Sequence, residues 1–178
     1  RVLEAALLQA EIPYRIYGGQ RFYERLEIKN ALAYLRLMLN VDDDTAFERV
    51  VNIPARGIGE RTQDTIRQAA RGSNTTLWAS SVQLVAANRL PGRAKNALAG
   101  FIQLVGEMAQ GSASLKLIEQ AETAIERSGL IDLYRREKGE RGLARVENLE
   151  ELIAACRNFQ ADDSEQPILP QFLDQVAL

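Results

Sequence analysis

The residues best placed to do chemistry in this chain run from Asn52 to Thr62, reading Asn-Ile-Pro-Ala-Arg-Gly-Ile-Gly-Glu-Arg-Thr. Gly57 and Gly59 flank a single apolar residue, Ile58. Glycine tolerates positive φ and lets a ligand or another backbone come close. Pro54 has no N–H and disfavours helix for the residue before it, so a helix arriving over residues 43–51 must stop here. Ile58 can then plug the gap between that helix and a second one over residues 62–70. Such a turn aims backbone N–H groups, together with a helix N-terminus, outward at an anion. Arg56 and Arg61 stand on either side of the anion position, and Thr62 follows. The chemistry on offer is the holding of a phosphate.

The hydrophobe-x-Gly-hydrophobe-Gly spacing is that of helix-hairpin-helix modules, which hold duplex DNA by backbone phosphates rather than base edges. A lone Gly-x-Gly fits equally a plain C-cap and turn between two core helices. Catalytic chemistry is narrowed by what the sequence lacks. With no histidine there is no His-based triad and no His zinc ligand. The single Cys156 cannot build a thiolate metal site, and at helical spacing among apolar residues it reads as a buried small hydrophobe in a reducing compartment. No Gly-x-x-x-x-Gly-Lys-Ser/Thr loop is present to hold a nucleotide triphosphate. Gly18-Gly19 is too short for a dinucleotide fingerprint. Asp42-Asp43-Asp44 reads as a cap and dipole partner for the next helix, because a metal cage needs further oxygen ligands. Glu150 and Glu151 sit side by side on a solvent-facing helix. The chain is expected to be non-catalytic, with no cofactor and no metal of its own.

These residues need a scaffold, and 178 residues with 46% hydrophobic content can bury a real core. The net charge is −2, so any DNA site must be a local basic patch on an acidic body. No apolar run is long enough to span a membrane, and no signal peptide opens the chain. Residues 2–9 read as an amphipathic helix, followed by a β-prone run at 14–17 that Gly18-Gly19 ends. That strand has no later partner, so it is expected to belong to a sheet outside this chain. From Phe22 to Asn40 the pattern is helical, with Ile28, Leu32, Leu35 and Leu39 on one stripe. Further helices are expected over 76–87, from Pro91 to Met108, over 115–127 and 130–137, over 145–159, and after Pro170. Leu90-Pro91-Gly92-Arg93 reads as a plain helix start, or as a second, degenerate hairpin with Arg93 and Lys95 near its turn. The fold class expected is mainly α: an irregular helical domain containing the Gly-Ile-Gly hairpin, plus one short orphan β-strand near the N-terminus.

Several ordered segments carry a family resemblance. They are Ile12-Pro13-Tyr14-Arg15-Ile16-Tyr17-Gly18-Gly19, Arg21 to Arg25 with Glu27-Ile28-Lys29, and Ala33-Tyr34-Leu35-Arg36-Leu37. Asn52 to Gly59 and Arg145 to Leu152 follow in the same order. Together they resemble bacterial superfamily 1A DNA helicases of the UvrD/PcrA/Rep type, over essentially the whole chain and nearest the UvrD branch. The resemblance implies that residues 20–178 are the helical 2B subdomain and residues 1–19 a remnant of the second RecA-like domain, 2A. It implies a non-catalytic part of an ATP-dependent 3'-5' repair helicase, with ATP and Mg handled elsewhere in the parent protein. Implied partners are the duplex DNA backbone, the remaining helicase domains, and repair proteins or a second helicase. Its implied location is the bacterial cytoplasm, at the nucleoid. Two roles follow, a grip on the duplex through Arg56, Gly57, Ile58, Gly59, Arg61 and Thr62, or a swivelling, autoinhibitory and protein-docking part with little DNA affinity. Asn30, where the family usually has Asp, and Ala55, often Thr or Lys, depart from the pattern.

Overall fold

A computed structural model describes residues 20–177, and every regular element among them is a helix. The expected strand and the 2A remnant lie outside the described residues. In chain order the helices are α1 Gln20–Tyr23, α2 Leu26–Leu39, α3 Asp44–Val50, α4 Glu60–Ser73 and α5 Leu77–Ala86. They continue as α6 Gly92–Ser112, α7 Leu117–Arg127, α8 Leu130–Arg135, α9 Glu140–Asn158 and α10 Ile168–Ala177.

Helix α2 is the axis of the bundle. It packs against α3, α6, α7, α9 and α10, and its buried residues include Glu27, Ile28, Asn30, Leu32, Tyr34, Leu35 and Leu37. A helix buried nearly all round is a core helix rather than a surface one with a single stripe. The stripe expected from periodicity therefore understates its burial. It also overreaches at Leu39, which is 48% exposed at the end of the last turn. Around this axis Phe47 of α3 meets Phe101 of α6 edge to face at 5.6 Å. Such a pair adds about 1 kcal/mol to the area it buries.

The acidic triplet works as a double cap. Asp43 accepts from the N–H of Ala46 at 2.9 Å and opens α3. Asp44 accepts from the N–H of Leu77 at 2.9 Å, and Asp42 accepts from the Thr76 hydroxyl at 2.6 Å. One run of carboxylates thus serves the N-termini of two helices, α3 and α5, where negative charge is stabilising. Helix α4 begins two residues earlier than its periodicity implies and runs on to Ser73, where Asn74 at φ 50° ends it.

Helix α9 also starts earlier than expected, at Glu140 rather than Arg145. Its first turn includes Gly142, which reads in sequence as part of a charged loop. A Cβ there would lie 2.1 Å from the carbonyl oxygen of Glu137, so only glycine lets α9 fold back on the end of α8. A second clamp ties α9 to α2. The buried Glu27 carboxylate accepts from Asn148 Nδ2 at 2.6 Å, Asn148 Oδ1 accepts from Arg25, and Arg145 Nε stands 3.7 Å from Glu27.

A matched pair of substitutions tests this packing. Gly142→Ala is expected to cost about 2–3 kcal/mol, because the backbone at Glu137 and Tyr134 must move to admit the methyl group. Gly106→Ala, inside α6 with nothing within 4 Å of its added Cβ, is expected to be neutral or to stabilise by up to about 1 kcal/mol. Urea midpoints of the two variants read the difference directly.

Candidate nucleic-acid interface

The turn at residues 51–59 is wound around one side chain. Asn52 Oδ1 accepts from the backbone N–H of Arg56 at 2.7 Å and of Ile58 at 3.2 Å. Gln63 Nε2, one turn into α4, donates to the Ile58 carbonyl at 2.9 Å. Ile58 itself is fully buried, the plug between helices that its position predicts.

Arg56 faces the interior rather than the mouth of the turn. Its guanidinium turns inward, where Nη1 donates to the carbonyls of Val50 at 3.2 Å and Pro54 at 3.1 Å. Nη2 donates to the Ser128 carbonyl at 2.9 Å and to the Tyr34 hydroxyl at 2.6 Å. The guanidinium also lies over the rings of Phe101 at 5.3 Å and Tyr34 at 5.8 Å. The physical reason is local. Val50 ends α3 and Ser128 is the C-cap of α7, so their carbonyls form the negative ends of two helices. A planar cation with five donors satisfies them together, and the two aromatic faces cover it.

Tyr34 completes the support. Its hydroxyl donates to the Ile53 carbonyl at 2.5 Å while accepting from Arg56. Burial pushes the phenol up to about 12, against a smaller downward pull from Arg56. Tyr34, Asn52 and Gln63 are the positioning residues that motif reading passes over. The available signal was an Asn just past a helix, the residue type that captures nearby backbone N–H groups.

The two glycines differ. Gly57 takes φ 86°, which only glycine adopts freely, as its place in a tight turn predicts. Gly59 does not share that conformation: it is the N-cap of α4 at φ −75° and ψ 177°, ordinary extended backbone. No atom lies within 4 Å of where its Cβ would be. Outside the plug, Gly57, Gly59 and Arg61 are exposed and Thr62 is half-buried. Glu60 is exposed beside them and reaches Arg67 at 3.4 Å, and Arg67 is held by Glu48 at 2.6 Å and Asp64 at 2.7 Å. Arg61 is thus the outward cation of the turn, and Arg56 its internal brace.

The UvrD-like helicase C-terminal domain model matches residues 1–178, the entire chain. The chain belongs to this helicase family. It is 52% identical to a DNA helicase II from Salmonella typhimurium and 51% identical to one from Escherichia coli, each over 100% of this chain and 25% of the relative. It is 35% identical to the ATP-dependent DNA helicase PcrA of Bacillus subtilis, again over 100% of this chain and 24% of that protein. The chain therefore spans about a quarter of the length of the curated relatives it matches. No described helix is long and apolar enough to cross a membrane.

Arg56→Ala is expected to destabilise the fold by on the order of 2–3 kcal/mol, since it removes the donor of the Ser128 and Pro54 carbonyls, one partner each of the Val50 carbonyl and the Tyr34 hydroxyl, and the cover over two aromatic rings. Arg56→Lys should recover little of this, because a point charge cannot fork between them. Chemical denaturation checks both. The Tyr34 phenol also sets an alkaline limit. Its folded pKa lies above the ordinary 10, so its contribution is complete below pH 10 and is lost as pH rises toward about 12. Cys156, pushed by burial from 9 to about 12, acts in the same direction from pH 9 upward. Tyr34→Phe should therefore show a shallower loss of stability between pH 10 and 12 than the parent protein, followed by urea midpoints.

Proposed function

We propose that this chain is the 2B subdomain of an ATP-dependent 3'-5' DNA helicase of DNA repair, and that it holds the backbone of duplex DNA at the turn between α3 and α4. It carries no catalytic residue and no ATP or Mg site of its own, in keeping with the missing phosphate loop. The unwinding chemistry belongs to the remaining three quarters of a protein built like its relatives, and this subdomain regulates it by swivelling. The parent enzyme works in the bacterial cytoplasm.

What carries the duplex reading is Gly59. Nothing inside the fold asks for glycine there: the backbone is extended, the space beyond is open, and Ser, Thr, Asp or Asn would cap α4 better. A bare position at the mouth of a helix N-terminus leaves room for a phosphate against the N–H groups that follow. Arg61 supplies the charge and Thr62 a hydroxyl. Gly57 shapes the turn, and Ile58 anchors it from inside. Arg56, one of the contacts expected from sequence, acts through the turn instead. With it withdrawn, the grip is weaker than five or six contacts would give. Non-specific affinity on the order of 10⁻⁴ to 10⁻⁶ M is expected, with a shallow log–log salt slope of roughly −1 to −2.

Glu60 beside the turn and the net charge of −2 both oppose a polyanion, which favours the alternative of a regulatory, protein-docking subdomain. Gly59→Val separates the two. Its φ is open to any residue, so the variant folds with a loss of about 1 kcal/mol or less at the cap, checked by circular dichroism. Binding to a blunt DNA duplex should weaken at least tenfold, because the β-branched side chain fills the approach. Equal affinity of variant and parent would remove the turn as the DNA site and leave the regulatory reading. Gly57→Val cannot serve, since at φ 86° it strains the fold itself.

A further inference from the structure

The N–H groups of the α3–α4 turn divide into two sets. Those of Arg56 and Ile58 both donate to Asn52 Oδ1, at 2.7 and 3.2 Å. Those of Gly57, Gly59, Glu60, Arg61 and Thr62 have no acceptor among the described residues, and the first bond into α4 runs from the Gln63 N–H to the Gly59 carbonyl at 3.0 Å. Two donors converging on one side-chain atom fix it as the amide oxygen, so the other end of Asn52 is Nδ2, a neutral donor. Asn52 is half-buried, and its Nδ2 has no acceptor among the described residues. One side chain thus claims alternate N–H groups of the turn and leaves the others to an anion.

Holding the turn does not by itself call for asparagine. A carboxylate at residue 52 would accept the same two N–H groups, and more strongly. The chain uses aspartate for such work elsewhere: Asp43 accepts from the Ala46 N–H, Asp44 from the Leu77 N–H and Asp162 from the Ser164 N–H, each at 2.9 Å. The carbonyl end of α3 disfavours a negative charge at residue 52. The Arg56 guanidinium, bound to the Val50 carbonyl at that same helix end, favours one. These influences oppose each other, so packing is close to indifferent between amide and carboxylate. A phosphate at the mouth of the turn is not.

We propose that Asn52 is the positioning residue that fits this turn to a phosphate, because it winds the turn with an uncharged acceptor. The proposal rests on the duplex reading given above. Oδ1 takes the Arg56 and Ile58 N–H groups out of play and thereby fixes the orientation of those between and after them. The neutrality of the amide keeps the ground beneath the site free of negative charge. With Glu60 exposed beside Arg61, a second carboxylate at residue 52 would leave that arginine facing two of them. Asn52→Asp therefore keeps the shape of the turn and loses its affinity for a polyanion.

The test titrates the protein with a blunt DNA duplex at several salt concentrations, comparing Asn52→Asp, Asn52→Ala, Gly59→Val and Gln110→Glu. Gln110 is exposed in the last turn of α6 and serves as a control for added negative charge. Hydrogen exchange at the Arg56 and Ile58 amides reads the turn separately from binding. Asn52→Asp should keep both amides protected, with a urea midpoint near the parent's. It should nonetheless bind about tenfold more weakly at low salt and flatten the log–log salt slope by about 0.9. Asn52→Ala should lose the protection of both amides, while Gln110→Glu should leave binding and slope close to the parent's. Parent affinity and slope in Asn52→Asp, with Gly59→Val weakened, would overturn the role of Asn52 and keep the duplex reading. So would loss of amide protection in Asn52→Asp, or an equal loss of affinity in Gln110→Glu. If the parent protein binds no duplex even at low salt, or Gly59→Val binds as the parent does, the duplex reading fails and takes this proposal with it.

Discussion

The guanidinium of Arg56 is the joint on which the turn depends. Four acceptors converge on it, from the end of α3, from the turn, from the C-cap of α7 and from α2. Two of them are terminal helix carbonyls that have no partner within their own helices. Charge-assisted hydrogen bonds are roughly twice as strong as neutral ones, and more so away from water. The same cation thus closes two helix ends, fixes the turn over the Tyr34 and Phe101 rings, and leaves Gly57 and Gly59 facing outward. The exterior of the turn is set from beneath.

Helix α2 connects this joint to the other polar clamp of the fold. On one part of its surface Tyr34 meets the turn, and on another Glu27 and Asn30 meet α9 and α8. Asn30 Nδ2 donates to the Tyr134 hydroxyl at 3.0 Å, and Arg145 lies over the Tyr134 ring at 5.4 Å while pairing with Glu137 at 2.7 Å. A buried carboxylate such as Glu27 adds little net stability even when paired, and losing a partner is costly. Its use here is directional. A helix surrounded by apolar partners could slide or rotate among them, and polar contacts at Tyr34, Asn30 and Glu27 give α2 one register.

Local signals in the chain were legible where their cause is local. Asp43 before an apolar run gave the start of α3, and Thr76 that of α5. Ile58 between glycines read correctly as a plug, and Gly57 as a residue of positive φ. Two positions depend on backbone partners that residue spacing does not show. Arg56 binds the carbonyl of Ser128, 72 residues away, and Gly142 is required by the backbone carbonyls of Glu137 and Tyr134. Neither partner can be seen from neighbouring residue types, so an arginine beside a glycine turn reads as a phosphate ligand and a glycine among charges reads as loop. Gly59 differs: its residue type invited a backbone explanation that its extended φ does not need.

The family segments and the two clamps are largely the same residues. Arg25 and Glu27 meet Asn148 from segments 121 or more residues apart, and Tyr34 meets the stretch from Asn52 to Gly59. Residue types that interlock across such separations are dictated by the interior, which is why ordered matches along the chain identify the fold so specifically. They say much less about what the exterior touches. Arg56 illustrates the difference, since its place in the motif is explained by helix ends and aromatic faces without any ligand. After the interior has claimed Arg56, Gly57, Ile58 and Asn52, the residues of the turn that packing leaves unexplained are Gly59 and Arg61. The duplex reading proposed for this turn rests on those two positions, with the exposed carboxylate of Glu60 between them.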